Sequence, residues 1–219
     1  MQYRQLLFAS AIIAALAVAT IGSTAAQVDA KSFSVGAVGD GKADDTAALQ
    51  KDIDSGIGAI RLSKGVYRIM KPLVIDLDKV GWTSISGDGV ATLLMDGPGP
   101  ALKYAGTHYR SADPGGFEEK VWARQRMPLV DGIAILGAHP EAVGIEAAGT
   151  MQLTITRVHV RNALHAIHLT GNNRNIIISD CHFYENRGVG IYYDNVNLHQ
   201  SNITRSEEHT SELQSRENL

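Results

Sequence analysis

Two histidines 23 residues apart, His159 and His182, sit in matching tripeptides, Val158-His159-Val160 and Cys181-His182-Phe183. Imidazoles stacked one repeat apart can pass protons near neutral pH or share a metal ion. Asp180 and Glu185 flank the second histidine, and their carboxylates can take or give a proton. Asp180, His182 and Glu185 are therefore the candidate catalytic set. Glu146, His168 and Tyr192 form a second polar line, with Arg187 and Asp194 on the following turns. Trp122 offers an indole face on which a sugar ring can stack. No acidic partner for His159 or His182 is fixed by spacing alone. Polar side chains stacked on a solvated face are thus the stronger reading of that pair.

The segments that carry these residues repeat. VDGIAILGAHPEAVGIEAAGTMQ, LTITRVHVRNALHAIHLTGNNRN and IIISDCHFYENRGVGIYYDNVN align as successive rungs, and LHQSNIT opens another. A period of this size, with short apolar runs broken by Gly and Asn, predicts a solenoid whose coils bury their apolar faces against each other. In register, Ile133, Val158 and Cys181 form one inward column, and Ile135, Val160 and Phe183 another. Ile145, Ile167 and Ile191 form a third. Alternation along each strand turns the neighbouring columns outward: Ala134, His159, His182 on one and Glu146, His168, Tyr192 on the other. Arg157 and Asp180 occupy equivalent corners, where an ion pair is expected. Cys181 reads as a small buried hydrophobe. Asn172, Asn173 and Asn175 read as turn residues and an asparagine ladder.

Upstream, Asp44-Asp45-Thr46 precedes a helical stretch from Ala47 to Ile53, with Leu49 and Ile53 on one face and Gly56 and Gly58 after it. Asp40, Asp44 and Asp45 lack the alternating spacing and closing glutamate of a calcium loop, so helix capping is expected of them. Short strands are expected at Ala59–Leu62, Gly65–Met70, Leu73–Leu77, Thr83–Ile85 and Thr92–Met95. Ala105 to Met127 interrupts the pattern and is expected to project as a loop, with about two helical turns in FEEKVWARQR.

The stretch GAVGDGKADDTAALQKDID, followed by AIRLSKGVYRI, resembles the N-terminal segment of the pectate lyase superfamily, in particular its rhamnogalacturonase and epimerase-like pectate lyase domains. The resemblance spans Phe33 to about Ile75 by motif and the later rungs by pattern. It implies an all-β fold: a right-handed single-stranded parallel β-helix with a short N-terminal capping helix. It also implies a polysaccharide partner. Hydrolases of this kind need paired aspartates and a Gly-His-Gly element, which this chain lacks. The lyases hold calcium with carboxylates and use a base to remove an α-proton. None of their motifs carries over residue by residue, so calcium enters only if lyase chemistry applies, and no other cofactor is implied.

The ends differ from the middle. Arg4, the apolar run from Leu6 to Ile21 and the small residues Ser23, Ala25 and Ala26 read as a secretory signal peptide over 1–26. A secreted, periplasmic or extracellular location follows, with no membrane attachment after cleavage. Arg205 to Ser215 reads RSEEHTSELQS, which resembles the translation of a sequencing-library adapter. Residues 205–219 are thus expected to be non-native, and 31–204 to be a β-helix truncated at its C-terminal end. The missing rungs would then hold part of the chemistry. Charge is nearly balanced at −3 over 219 residues, which leaves no nucleic-acid footprint. The single cysteine excludes an intrachain disulfide framework. The expected function is a carbohydrate-active protein, a lyase or hydrolase on pectin-like or other acidic polysaccharide. A non-catalytic glycan-binding or structural module, of the surface or tail-fibre kind, is the alternative.

Overall fold

A computed structural model describes residues 36–110, 116, 118–194 and 203–205. The expected signal segment, Phe117 and residues 206–219 lie outside the described residues.

Gly39 and Gly41 turn the chain into β1 (Asp40–Asp44), and α1 (Thr46–Asp54) follows at once. Leu49 and Ile53 on its inner face are buried, as their i, i+4 spacing requires. Next come β2 (Ala59–Arg61), β3 (Gly65–Ile69), β4 (Leu73–Asp76) and the single turn α2 (Leu77–Val80). β5 (Ser84–Met95), β6 (Gly99–Ala105) and α3 (Glu119–Arg124) lead into β7 (Leu129–Gly137) and β8 (Ala142–Ala148). The last described strands are β9 (Thr154–Thr156), β10 (His159–Arg161), β11 (Ile167–Thr170), β12 (Ile176–Ser179), β13 (His182–Tyr184), β14 (Ile191–Asp194) and β15 (Ile203–Arg205).

The strands make two sheets, and every pairing in both is parallel. One runs β1-β3-β5-β7-β9-β12-β15, with β2 on β5 and β10 joining β7 to β13. The other runs β4-β6-β8-β11-β14. The chain visits them in alternation, so each pass adds a layer to both. The fold is all-β and parallel.

Apolar ladders hold it together. Ile60, Ile85, Val130, Ile155 and Ile178 stand in register across five strands of the first sheet, all buried. Tyr67, Leu93, Ile135, Val160 and Phe183 form a parallel ladder beside them. In the second sheet, Leu73, Leu102, Ile145, Ile167 and Ile191 align. All belong to or pack on one core, and each fully buried aliphatic contributes about 1.5–3 kcal/mol of transfer free energy. The expected columns of Ile135, Val160 and Phe183 and of Ile145, Ile167 and Ile191 therefore hold, while Ile133 and Val158 of the remaining column are buried in the same core. Cys181 packs against this core but is only half-buried, its thiol donating to the Ser179 carbonyl at 3.1 Å.

Four expectations change. Thr83–Ile85 and Thr92–Met95 belong to one strand, β5, whose register on β7 shifts between Ser86 and Ala91. The Gly87-Asp88-Gly89 turn, with Asp88 and Gly89 at φ 49° and 76°, is absorbed as a bulge rather than ending the strand. Asp45 occupies the N-cap position but does not cap with its side chain. Its carboxylate accepts from the Val38 and Gly39 amides at 2.6 and 3.0 Å, tying the entering loop to the helix start. Asp44 instead accepts from the Thr46 amide and hydroxyl. The described part of the Ala105–Met127 insertion does not project. Val121 and Gln125 are buried, and Gln125 binds the Thr107 amide and the Asp78 carboxylate. Finally, Asn173 is more than a turn residue: its hydrogen bonds tie it to Thr150 and to two backbone carbonyls. It is fully buried, accepting from the Thr150 amide and hydroxyl and donating to the Ala147 and Thr170 carbonyls.

Candidate functional site

The outward columns are as the repeat requires. Ala134, His159 and His182 align on one sheet, and Glu146, His168 and Tyr192 on the other. They differ in what surrounds them.

On the first face the His159 and His182 rings meet edge to face, with centroids 5.8 Å apart, and Tyr184 lies 4.7 Å from His159. Partial burial, with the neighbouring His182 second, pushes the His159 pKa down, which favours the neutral ring. Asp180 is exposed at a corner, φ 54°. Glu185 forms an ion pair with Arg161, Oε2 to Nε at 2.8 Å. No hydrogen bond or ion pair joins Asp180, His182 and Glu185 among the described residues, so the candidate catalytic set stays dispersed. The expected Arg157–Asp180 pair is also replaced. Arg157 reaches back one coil to Asp131, Nε to Oδ1 at 2.8 Å, and its second guanidinium contact goes to the same carboxylate. Both Arg157 and Asp180 lie at positive φ, where strand alternation no longer dictates side-chain direction.

On the second face the groups do converge. His168 stands between two carboxylates: Nδ1 is 3.2 Å from Glu146 Oε2, and Nε2 is 2.8 Å from Asp194 Oδ1. Only a doubly protonated ring donates to both at once, while a neutral ring donates to one and leaves the other carboxylate to supply a proton. Lys103, in register with Glu146 on β6, adds its ammonium at 2.8 Å from Glu146 Oε1. Lys103, Glu146, His168 and Asp194 thus form one continuous line of polar contacts along the stack. Tyr192 lies 5.2 Å from His168 and stacks on His165 at 4.5 Å. Hydrogen bonding from His168, then from Thr170, holds the Asp194 carboxyl below the ordinary carboxylate range. The Glu146 and His168 side chains are only 15% and 17% exposed, which strengthens their mutual interaction, whereas Asp194 at 42% opens to solvent.

The repeat alignment already placed Glu146, His168 and Tyr192 in one column. It passed over Lys103, whose rung is separated by the long insertion and carries no matching motif. It also left Asp194 on a turn, one strand position beyond Tyr193.

Trp122 lies on α3 and is 44% exposed. Arg126 donates to its carbonyl at 2.8 Å and rests 5.3 Å from its ring. No group of three or more His, Cys, Asp or Glu among the described residues is arranged to hold a metal ion. No helix among them is long and apolar enough to cross a membrane.

No protein-family model matches the chain, and no curated protein matches it in sequence. Among solved structures it is similar to a Geobacillus virus E2 protein, ORF18, at 15% identity and a TM-score of 0.53, over 78% of this chain and 38% of that one. It also overlaps the catalytic unit of a thermostable GH87 alpha-1,3-glucanase from Streptomyces thermodiastaticus strain HF3-3, at 16% identity and a TM-score of 0.44, over 78% and 36% of the two chains. The first is a likeness of fold; the second is too loose to argue from. The chain spans well under half of either protein.

Proposed function

We propose that the chain is part of a right-handed single-stranded parallel β-helix that acts on an acidic, pectin-like polysaccharide by lyase or hydrolase chemistry. The β-helix reading is supported by the alternation between two parallel sheets in constant register, and its hand follows the strong right-handed bias of parallel crossovers. The observation that carries the activity is His168 held between Glu146 and Asp194 on an outer face.

This arrangement supplies what cleavage of a glycosidic bond needs. In hydrolysis one carboxylic acid gives its proton to the leaving oxygen while a second carboxylate takes a proton from the attacking water. In elimination a base removes the α-proton of a uronate while a cation offsets the charge that develops on its carboxylate. Glu146 and Asp194 are the proton-carrying carboxyls, His168 is the relay or base, and Lys103 is the cation. The dispersed Asp180, His182 and Glu185 form the rival acid/base set. Trp122 is a stacking surface for sugar.

A non-catalytic glycan-binding module is the second reading. It is favoured by one observation: each polar member of the ladder already has a partner within it, as in a charge stack that only ties coils together. Incubation with a panel of uronate and neutral polysaccharides separates the readings. Unsaturated, ultraviolet-absorbing products mark a lyase, and new reducing ends without them mark a hydrolase. Retention on the polysaccharide without products marks a binder. Neither products nor retention with any acidic polysaccharide refutes the proposal.

A further inference from the structure

Both tryptophans of the chain, Trp82 and Trp122, are exposed, at 58% and 44%, and one arginine touches both. The Arg126 guanidinium lies 5.0 Å from the Trp82 ring centroid and 5.3 Å from that of Trp122. Trp82 is not isolated. Ala59, Ser84 and Leu129 pair in register, and two residues before each stand Ile57, Trp82 and Met127. All three are more than half exposed, so an apolar strip climbs one corner of the stack over three successive layers. At about 4.7–4.9 Å per layer the strip is roughly 10 Å long. Beside it lies a shallow hollow of about 250 Å³, bounded by Gly81, Trp82, Ala123 and Arg124. It is smaller than a drug-sized pocket of about 300–1,000 Å³, and suits one ring rather than a whole ligand.

The charges at this corner are specific. Lys79 is paired with Asp76, and Lys120 with Glu118. Arg124 and Arg126 have no carboxylate partner among the described residues; their recorded hydrogen bonds go to the Lys79 and Trp122 carbonyls. Two guanidinium groups with donors left for an anion therefore stand at the indole that most needs a cover.

We infer that the Trp82–Arg126–Trp122 corner is a binding platform for uronic-acid residues of a glycan, distinct from the Glu146–His168–Asp194 ladder. A hexuronate has an apolar face of C–H bonds and a planar carboxylate. The indole of Trp82 stacks on the first, and Arg126 and Arg124 pair with the second in a forked geometry that lysine does not supply. Charge complementarity sets the occupant: a neutral glycan would leave both guanidinium groups unanswered, whereas a uronate carboxylate matches their fork. The inference rests on the carbohydrate reading above and adds to it the site and the direction of the bound strand, along the stack.

Because the chain has two tryptophans and both lie here, their fluorescence reports occupancy directly. The full chain is titrated with oligogalacturonate and, separately, with a neutral glucan oligomer of equal length. Trp82→Ala and Arg126→Gln are compared with the parent, circular dichroism verifies their fold, and sedimentation reports self-association. The expected result is a saturable change with oligogalacturonate, absent with the glucan, and about ten-fold weaker in each variant. Arg126→Gln keeps the test valid if Trp82→Ala fails to fold. Unchanged oligogalacturonate binding in a folded variant overturns the platform while the carbohydrate reading stands. Equal response to the neutral oligomer overturns the uronate assignment. Concentration-dependent dimers that Trp82→Ala abolishes, with no glycan response, overturn it in favour of a second copy. Loss of both binding and cleavage with every acidic glycan overturns the carbohydrate reading itself.

Discussion

His168 Nε2 lies 2.8 Å from Asp194 Oδ1, across one strand spacing of the second sheet. The contact makes Asp194 a stronger acid than a free aspartate. A carboxyl whose pKa is lowered by folding stabilises the fold above its unfolded range, and that contribution disappears as pH falls through its folded value. Asp194→Asn is therefore expected to be less stable than the parent at neutral pH, with the gap closing below about pH 4. Solvent access to Asp194 keeps the gap small. Urea midpoints measured from neutral to acid pH check this, and a gap independent of pH would remove the linkage.

Asn173 satisfies four groups of the backbone and of Thr150 from a fully buried position. Asn173→Ala strands two carbonyls and an amide away from water, at a cost of about 2–4 kcal/mol. Equilibrium unfolding measures it. A loss near zero would mean that water replaces the amide.

Gly106 and Gly149 face each other where two layers touch. A Cβ on Gly106 would lie 2.1 Å from the Gly149 carbonyl oxygen, which is backbone and cannot swing aside. Gly106→Ala is expected to cost about 3 kcal/mol or prevent folding. At Gly89 a Cβ meets nothing within 4 Å, so Gly89→Asn, which tolerates the positive φ, serves as the mild control. Similar thermal midpoints for the two variants would contradict the close packing.

Burial pushes the Cys181 thiol above its ordinary range, so little thiolate exists near neutral pH. Alkylation is expected to be slow in the native chain and to accelerate in denaturant. Native reactivity equal to that of a free thiol would place Cys181 outside the packed column.

The layers of the fold were legible because 23-residue spacing brings Val158-His159-Val160 over Cys181-His182-Phe183, and strand alternation then sorts inside from outside. The same rule found the column of Glu146, His168 and Tyr192. It failed at corners. Arg157, at φ 53°, turns to Asp131 instead of Asp180, and the Asp45 carboxylate follows two loop amides instead of the helix start. It also failed where spacing is irregular. Lys103 joins Glu146, and Trp82 shares Arg126 with Trp122, only because β7 pairs with β5 and β8 with β6 across the insertion. Pairing across an insertion of arbitrary length leaves no period to read.

The central claim is that Glu146, His168 and Asp194 act as one acid/base unit on an acidic polysaccharide. Its most direct test is the rate of product formation from polygalacturonate by the parent chain, by His168→Ala, and by a triple variant of Asp180, His182 and Glu185. Folding is verified for each. The account predicts product from the parent, loss of about 100-fold or more in His168→Ala, and at most a few-fold change in the triple variant. Loss in the triple variant with His168→Ala unaffected, or no product and no binding from the parent, would contradict it.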